Sequence, residues 1–547
     1  MPNLDIDRTD IQDADGLIQA ASSGLARWER RVSASADRIA EGLRHRKYVV
    51  LLSFTILYFA GTCFRASQKL FWFDELFTLH LSRLPNIGSL WGALTQGVDL
   101  NPPLVYILTH FSDALFGEGH IATRLPEIIG FWIFCLCLFR FVSKRTSVLA
   151  GVISMLFPMV TTAYFYAYEA RPHGIVLGFG GVALVCWQAS VRSRQRAWWL
   201  IGLFAALLCA ILTHTYAILL VVPFASAEVV RLLSVRRVDW AVWLAIIAPL
   251  SGGLACLPLL WAAKAHIPGT IMPATLIAMV GSYTFHLAPA LGVLCVGLIL
   301  RFVFTFASAQ LPRPRSAERA LDLPESVALI AFVAMPFLSF MLAILTGAPY
   351  LARYSISAVA GFGCILGIVA SRRRPVGLGV LLFLIAQIGI SLLNFALTGD
   401  VIEPTTSIRL STRSDVSRTY DVMEAIPDKT SPIVLFDDME FASFMHYAPP
   451  ELASRLVYAA WDFDVNGEGY IRLQQCCRAP GAVKRLSEFR AGGDTFVALC
   501  DARSLYRLDY FIRQGADVRL ENVLPGSVLA SVRFGHGQGG SAVIPLR

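Results

Sequence analysis

Two neighbouring carboxylates, Asp74 and Glu75, sit in the string FWFDELFTLH, flanked by aromatic side chains. Adjacent acids of this kind suit a general base or acid, and equally suit the N-cap pair of a helix. Tyr168, Glu169, Arg171 and His173 fall together in YFYAYEARPHG. An arginine between a carboxylate and a proline serves either as a fixed bridge or as an anion clamp. Thr213, His214 and Tyr216 form a third group, Lys264 with His266 a fourth, and Tyr350, Arg353 and Tyr354, in GAPYLARYSI, a fifth. An isolated histidine is more often a hydrogen-bonded structural residue than a ligand. Arg353 and Lys264 have the chemistry to hold a phosphate; the plainer alternative is that they snorkel to an interface.

The elements that must position these groups are membrane spans. Of 547 residues, 55% are hydrophobic and only 16% charged, with a mean hydropathy of +0.58. A soluble globular chain carries about a quarter charged residues, so a soluble enzyme is excluded, as is intrinsic disorder. After a polar stretch, residues 1 to 46, read as a cytoplasmic tail with a short amphipathic helix and no cleavable targeting segment, apolar runs begin near 48–64. Further runs lie near 123–142, 147–163, 174–191, 198–212, 215–230, 240–260, 289–307, 326–346, 355–370 and 376–396, about eleven spans in all. Alternating them from an inside start puts every basic cluster on the cytoplasmic face: Arg44 to Lys47, Lys144 and Arg145, RSRQR at 192–196, Arg231 with Arg236 and Arg237, PRPR at 312–315, and Arg372 to Arg374. The net charge of +8 therefore reports topology, not nucleic-acid binding. Residues 274–288 would invert the later loops if they crossed, and are read as re-entrant or interfacial.

On this map all five polar groups lie at the external mouths of spans, where ionisable residues tend to be functional. The external connector 65–122 is too long for a simple loop. Beyond Asn101 as a cap and Pro102, it carries Leu104, Ile107, Leu108, Phe111 and Leu115 at helical spacing, a stripe suited to lying on a membrane or on the bundle, the plainer reading being a lid packed on the spans. From about 400 to 547 the long apolar runs cease. Segments such as PIVLFDD and TFVALC alternate with helical ones such as EFASFMHYA, which predicts a separate external α/β domain with a recognition or structural role. The eight cysteines before it are core residues of the spans; within it, Cys500 is placed to bridge Cys476 or Cys477 in an oxidising compartment.

The strings FWFDE, DLNPPLVYILTHFSDALFG with RLPEIIG, YEARPHG, LTHTYAILL and LARYSI, in that order, resemble the GT-C class of integral-membrane glycosyltransferases, in the branch of protein O-mannosyltransferases and aminoarabinose transferases. The similarity runs over roughly residues 48 to 400. It implies transfer of a sugar from a polyprenyl-phosphate-linked donor to a glycan, lipid or protein acceptor on the external face of what would be a bacterial inner membrane. It implies Asp74 as general base, Glu75 assisting or positioning it, and Arg171 and Arg353 stabilising the phosphate. Lys264 joins them on topology alone, and Tyr168, Glu169, His214, His266 and Tyr350 complete the expected substrate-binding set. His173 stands where an aromatic residue is common.

A phosphate leaves as a stabilised anion, so such a site needs electrostatic help for the leaving group and a base for the incoming hydroxyl. One base acting alone predicts inversion at the anomeric carbon. A divalent metal is compatible with this picture, since His80, His214 and His266 offer ligands, but their spacing is not diagnostic. The rival reading is a transporter or lipid flippase, which would place its charges near the middle of broken spans. Here the span interiors are expected to be nearly free of charge apart from Arg140 and Arg301.

Overall fold

The computed structural model describes residues 8–191, 193–266, 273–307, 321–398, 423, 429–460, 482–489, 495–501, 505–524 and 527–534. The protein is an α-helical polytopic membrane protein with a small C-terminal α/β region. Among the described residues seven helices are long and apolar enough to cross a bilayer, and nine if each of two bent pairs counts as one span. All eleven apolar runs of the sequence are helical. Two of them, Trp240–Ala255 and Ala358–Ser371, are apolar helices shorter than a full crossing.

Residues 276–287 are not a separate re-entrant piece. They open one helix, Leu276–Phe306, of 31 residues. Pro289 tightens a single 3₁₀ turn at Ala288–Ala290 and does not break the rod. At 1.5 Å per residue that helix is about 46 Å long, against a hydrocarbon core of about 30 Å, so part of it stands outside the core. The N-terminal segment is likewise one long helix, Arg8–His45, where a short one was expected. Trp28 stacks on Phe304 at 5.3 Å, and Asp37 pairs with Arg374 at 2.7 Å.

The two bends matter for the site. Between Val148–Val160 and Thr162–Tyr168 the chain turns by 75°. Pro158 starts the last 3₁₀ turn, Thr161 is extended, and its hydroxyl accepts the Ala163 N–H at 3.2 Å, capping the new direction. That turn carries Glu169 and Arg171 inward. The second bend, 58° between Leu323–Val333 and Met335–Thr346, is followed by Gly347 at φ +67, a left-handed conformation natural to glycine, which sends the chain toward Arg353.

Helices His120–Ser143 and His173–Ser190 pack with their backbones touching: a Cβ on Gly178 would lie 2.6 Å from the Gly130 carbonyl oxygen. Small residues at such crossings let two membrane helices approach closely.

The connector 65–122 folds into helices Phe73–Ser82, Ile87–Thr95 and Leu104–Phe116. In the last of these Val105, Tyr106, Thr109 and Ser112 are the buried face. Phe111 and Leu115, expected to pack as a lid, are 59% and 76% exposed, so the outer half of the apolar stripe faces away from the bundle. Asn101 is not the cap. Its amide donates to Asp99, and Pro103 precedes the first turn.

Among the described residues of the C-terminal region six strands form one sheet in the order β3-β2-β1-β4-β6-β5. These are β1 Ile433–Leu435, β2 Leu456–Ala460, β3 Val483–Arg485, β4 Thr495–Asp501, β5 Ala516–Leu524 and β6 Ser527–Phe534. The first four run parallel, and β6 runs antiparallel to both of its neighbours, β4 and β5. Strands β1 and β4 are the predicted PIVLFDD and TFVALC segments, and the predicted helix is Asp438–Tyr447. Its Tyr447 hydroxyl accepts the Phe71 N–H at 2.7 Å and meets His120 Nε2 at 3.0 Å, joining this region to the start of the Asp74 helix. Cys500 is buried in β4, while Cys476 and Cys477 lie outside the described residues, as does PRPR at 312–315.

Replacing Gly178 with valine is expected to destabilise the protein by about 1–3 kcal/mol through overpacking, read as a lower thermal unfolding midpoint of the purified protein. An unchanged midpoint would mean the two helices can part without cost.

Candidate active site

Glu75 occupies the third position of helix Phe73–Ser82 and is fully buried. Its carboxylate accepts Arg124 Nε at 2.6 Å and Nη2 at 2.8 Å, Lys69 Nζ at 3.1 Å, the Ala170 N–H at 2.7 Å and the Trp72 N–H at 3.4 Å. The remaining Arg124 hydrogens go to the carbonyls of Ala66, Lys69 and Leu70. Glu169 accepts the Trp72 indole N–H at 2.8 Å and lies 3.8 Å from Lys69 Nζ. Burial alone would raise the Glu75 pKa. Arg124, then Lys69, reverse the sign and hold it well below the usual carboxylate range. This group is committed to structure: it fastens the exit of the first span to helix His120–Ser143 and to the loop carrying Arg171.

Asp74, one residue earlier, points elsewhere. Its side chain keeps 15% of its surface exposed. Its Oδ2 lies 3.4 Å from Arg353 Nη2 and 3.7 Å from Arg171 Nε, and its backbone carbonyl accepts Arg171 Nη1 at 3.2 Å. Arg171 is itself held by Asp99, through Nη1 at 2.7 Å and Nη2 at 3.4 Å. Asp99 in turn accepts the Leu100 N–H and the Asn101 amide. Burial opposes charge on both guanidiniums, but Asp99 and Asp74 for Arg171, and Asp74 for Arg353, push their pKa values further up. Both stay cationic at any relevant pH.

Rings line the same cluster. His214 lies 5.2 Å from His173 and 5.2 Å from Tyr354, and Tyr354 stacks on Tyr216 at 4.5 Å. The Tyr216 N–H donates to His214 Nδ1 at 3.2 Å, so the ring proton of the neutral form resides on Nε2. Burial, then Arg171 and Arg353, lower the His214 pKa to about 3. The imidazole is thus a neutral donor through Nε2.

No protein-family model matches the chain, and no curated protein matches it. Solved structures do. The crystal structure of ArnT from Cupriavidus metallidurans in the apo state covers 89% of this chain and 98% of its own, with 14% identity and a TM-score of 0.52. The crystal structure of the same protein bound to undecaprenyl phosphate gives the same coverage and identity, with a TM-score of 0.50. The chain has the GT-C glycosyltransferase fold.

Within this GT-C fold the structure brings Asp74, Arg171, His214 and Arg353 together. Glu169 is drawn off to Lys69. Tyr168 packs beside Arg65, 5.8 Å from its guanidinium carbon, and Tyr350 bonds Ser282 at 2.8 Å. Lys264 and His266 end the helix Leu257–His266, and their side chains lie outside the described residues. Among the described residues no three His, Cys, Asp or Glu side chains are grouped to hold a metal, and His214 Nδ1 is already engaged.

Sequence reasoning missed Asp99, Arg124 and Lys69. Asp99 and Arg124 open the strings DLNPPLV and RLPEIIG, so the signal was present as charged residues inside otherwise apolar motifs. The expectation of nearly charge-free span interiors is also corrected: Arg124, Glu127 and Glu228 are buried within crossing helices. An apolar average over a run hides one paired charge.

Because the Glu75 pKa is lower in the folded protein than in the unfolded chain, its ion pairs contribute stability above the unfolded value of about 4.3 that is lost as pH falls. Glu75→Gln is expected to cost about 3–5 kcal/mol, since it leaves Arg124 and Lys69 buried without their anion. It is also expected to flatten the acid limb of the stability curve. Thermal unfolding between pH 3 and 7 checks both, and a variant as stable as wild type would refute the assignment.

Proposed function

We propose that the protein is a glycosyltransferase that moves one sugar from a polyprenyl-phosphate-linked donor to an acceptor hydroxyl on the extracytoplasmic face, with Asp74 as general base. The observation that carries this reading is the division of labour between two adjacent acids. Glu75 is saturated with donors and sealed, whereas the Asp74 carboxylate reaches a partly open site with two arginines from distant segments. The GT-C fold, and the undecaprenyl phosphate bound by one structure that shares it, support a polyprenyl-linked donor.

In this mechanism Arg353 and Arg171 face the donor phosphate, and His214 donates its Nε2 hydrogen to a phosphate or sugar oxygen. Asp74 takes the proton of the acceptor hydroxyl as that oxygen attacks the anomeric carbon. The bond from carbon to phosphate oxygen breaks, and polyprenyl phosphate departs as an anion stabilised by the two guanidiniums. A single displacement inverts the anomeric centre. Glu75 and Asp99 position, Asp99 by fixing the Arg171 fork. Lys264 keeps the place that topology gives it, as a further cation on the external side.

Asp74→Asn is expected to lower the transfer rate about 10²- to 10⁴-fold with folding intact, the range for loss of a general base. Wild-type turnover in the purified variant would remove the base. Arg353→Ala is expected to weaken binding of polyprenyl phosphate about tenfold or more, measured by titration, with acceptor binding unchanged. Mass spectrometry of envelope glycans and glycoproteins from a deletion strain identifies sugar and acceptor together through the residue that disappears.

A further inference from the structure

At the end of the bundle opposite Asp74, a cavity of about 270 Å³ opens between helices Val221–Val235 and Trp240–Ile247, beside the start of helix Arg196–Thr213. That last helix sets the separation. Its 18 residues rise about 27 Å from Arg196 to the His214 end, so the cavity is not part of the candidate active site.

We propose that this cavity binds the phosphate of an anionic membrane phospholipid. Its polar lining is Glu228, Arg231, Arg237 and Asp239, with the indoles of Trp240 and Trp243. Both acids are already engaged. Glu228, 2% exposed, accepts Arg231 Nη1 at 2.6 Å and the Trp187 indole N–H at 2.7 Å, and Asp239 pairs with Arg196. Arg231 is further fixed over the Trp187 ring at 5.3 Å. Among the described residues no carboxylate lies within ion-pair distance of Arg236 or Arg237. With Glu228 matched by Arg231 and Asp239 by Arg196, the lining Arg237, next to Arg236 in the chain, leaves the unmatched charge positive.

Arg236 closes its helix in the left-handed conformation, φ 55 and ψ 30, uncommon for a residue with a side chain, and the chain reverses there to bring Arg237 to the cavity. The surroundings fix the depth. Trp198 and Trp240 are 73% and 76% exposed, and Leu233 and Leu244 are also exposed beside the cavity. Exposed indoles of this kind sit at the headgroup level of a bilayer, and basic pockets between membrane helices there recognise anionic headgroups. The acyl chains would lie along Leu233 and Leu244. A zwitterionic lipid fits less well, because its ammonium would have to displace Arg231 or Arg196 from acids they already neutralise.

The test uses the full chain purified in detergent, titrated with phosphatidylglycerol, phosphatidylcholine or inorganic phosphate, with lipid binding read by native mass spectrometry and thermal unfolding. Phosphatidylglycerol is expected to bind and raise the unfolding midpoint, and the other two are not. Arg237→Ala, at an exposed position, is expected to lower phosphatidylglycerol affinity about fivefold. Arg301→Ala, removing another exposed arginine in a membrane helix, is expected to leave it unchanged. Arg237→Glu is expected to abolish the midpoint shift. The proposal is overturned if Arg237→Ala binds like wild type, if phosphatidylcholine binds equally, or if inorganic phosphate alone reproduces the shift, which would assign the cavity to a soluble anion.

Discussion

The buried contact of Glu75 with Arg124 and Lys69 is the constraint on which the rest of the candidate site depends. Three charges that would each be costly alone at this depth are mutually satisfied, and nearly every hydrogen of Arg124 is spent either on that carboxylate or on main-chain carbonyls at the exit of the first span. A buried pair of this kind adds little net stability over an apolar substitute, but it tolerates only one arrangement, since separating the partners strands a charge. The same carboxylate takes the Ala170 amide, so the connector after the first span and the segment bearing Arg171 are fixed relative to each other.

From that fixed frame the reactive geometry follows almost by helix rotation. Consecutive residues on a helix point about 100° apart. With Glu75 turned into the frame, Asp74 is turned out of it, toward Arg171 and Arg353. The two bent helix pairs complete the convergence, because each redirects its chain where a straight span would have carried the arginine past the cluster. Asp99 then keeps Arg171 from collapsing wholly onto Asp74.

Much of this was legible in residue order, and the illegible part has physical causes. Hydropathy reports whether a segment avoids water, so every apolar run proved helical, but it is blind to direction. The 75° turn at Thr161 and the continuity through Pro289 both lie inside unbroken apolar text. The adjacent acids were visible as a pair. Which of them is sealed and which is open depends on Arg124, 49 residues away from Glu75, and no local pattern contains that fact. Asp99 was overlooked because its partner comes 72 residues later, beyond three further α-helices. For Phe111 and Leu115, helical spacing names a face without saying whether the bundle or a membrane lies against it.

The fixed tautomer of His214 has a consequence for a reaction cycle. With Nδ1 tied to the main chain and Nε2 already protonated, that ring cannot accept the hydrogen released by an incoming hydroxyl, nor ferry it onward. On the proposed mechanism every proton collected in a turnover ends on one carboxylate, and the cycle cannot restart until it is shed. On that mechanism the 15% of the Asp74 side chain left exposed would be the drain through which the site resets.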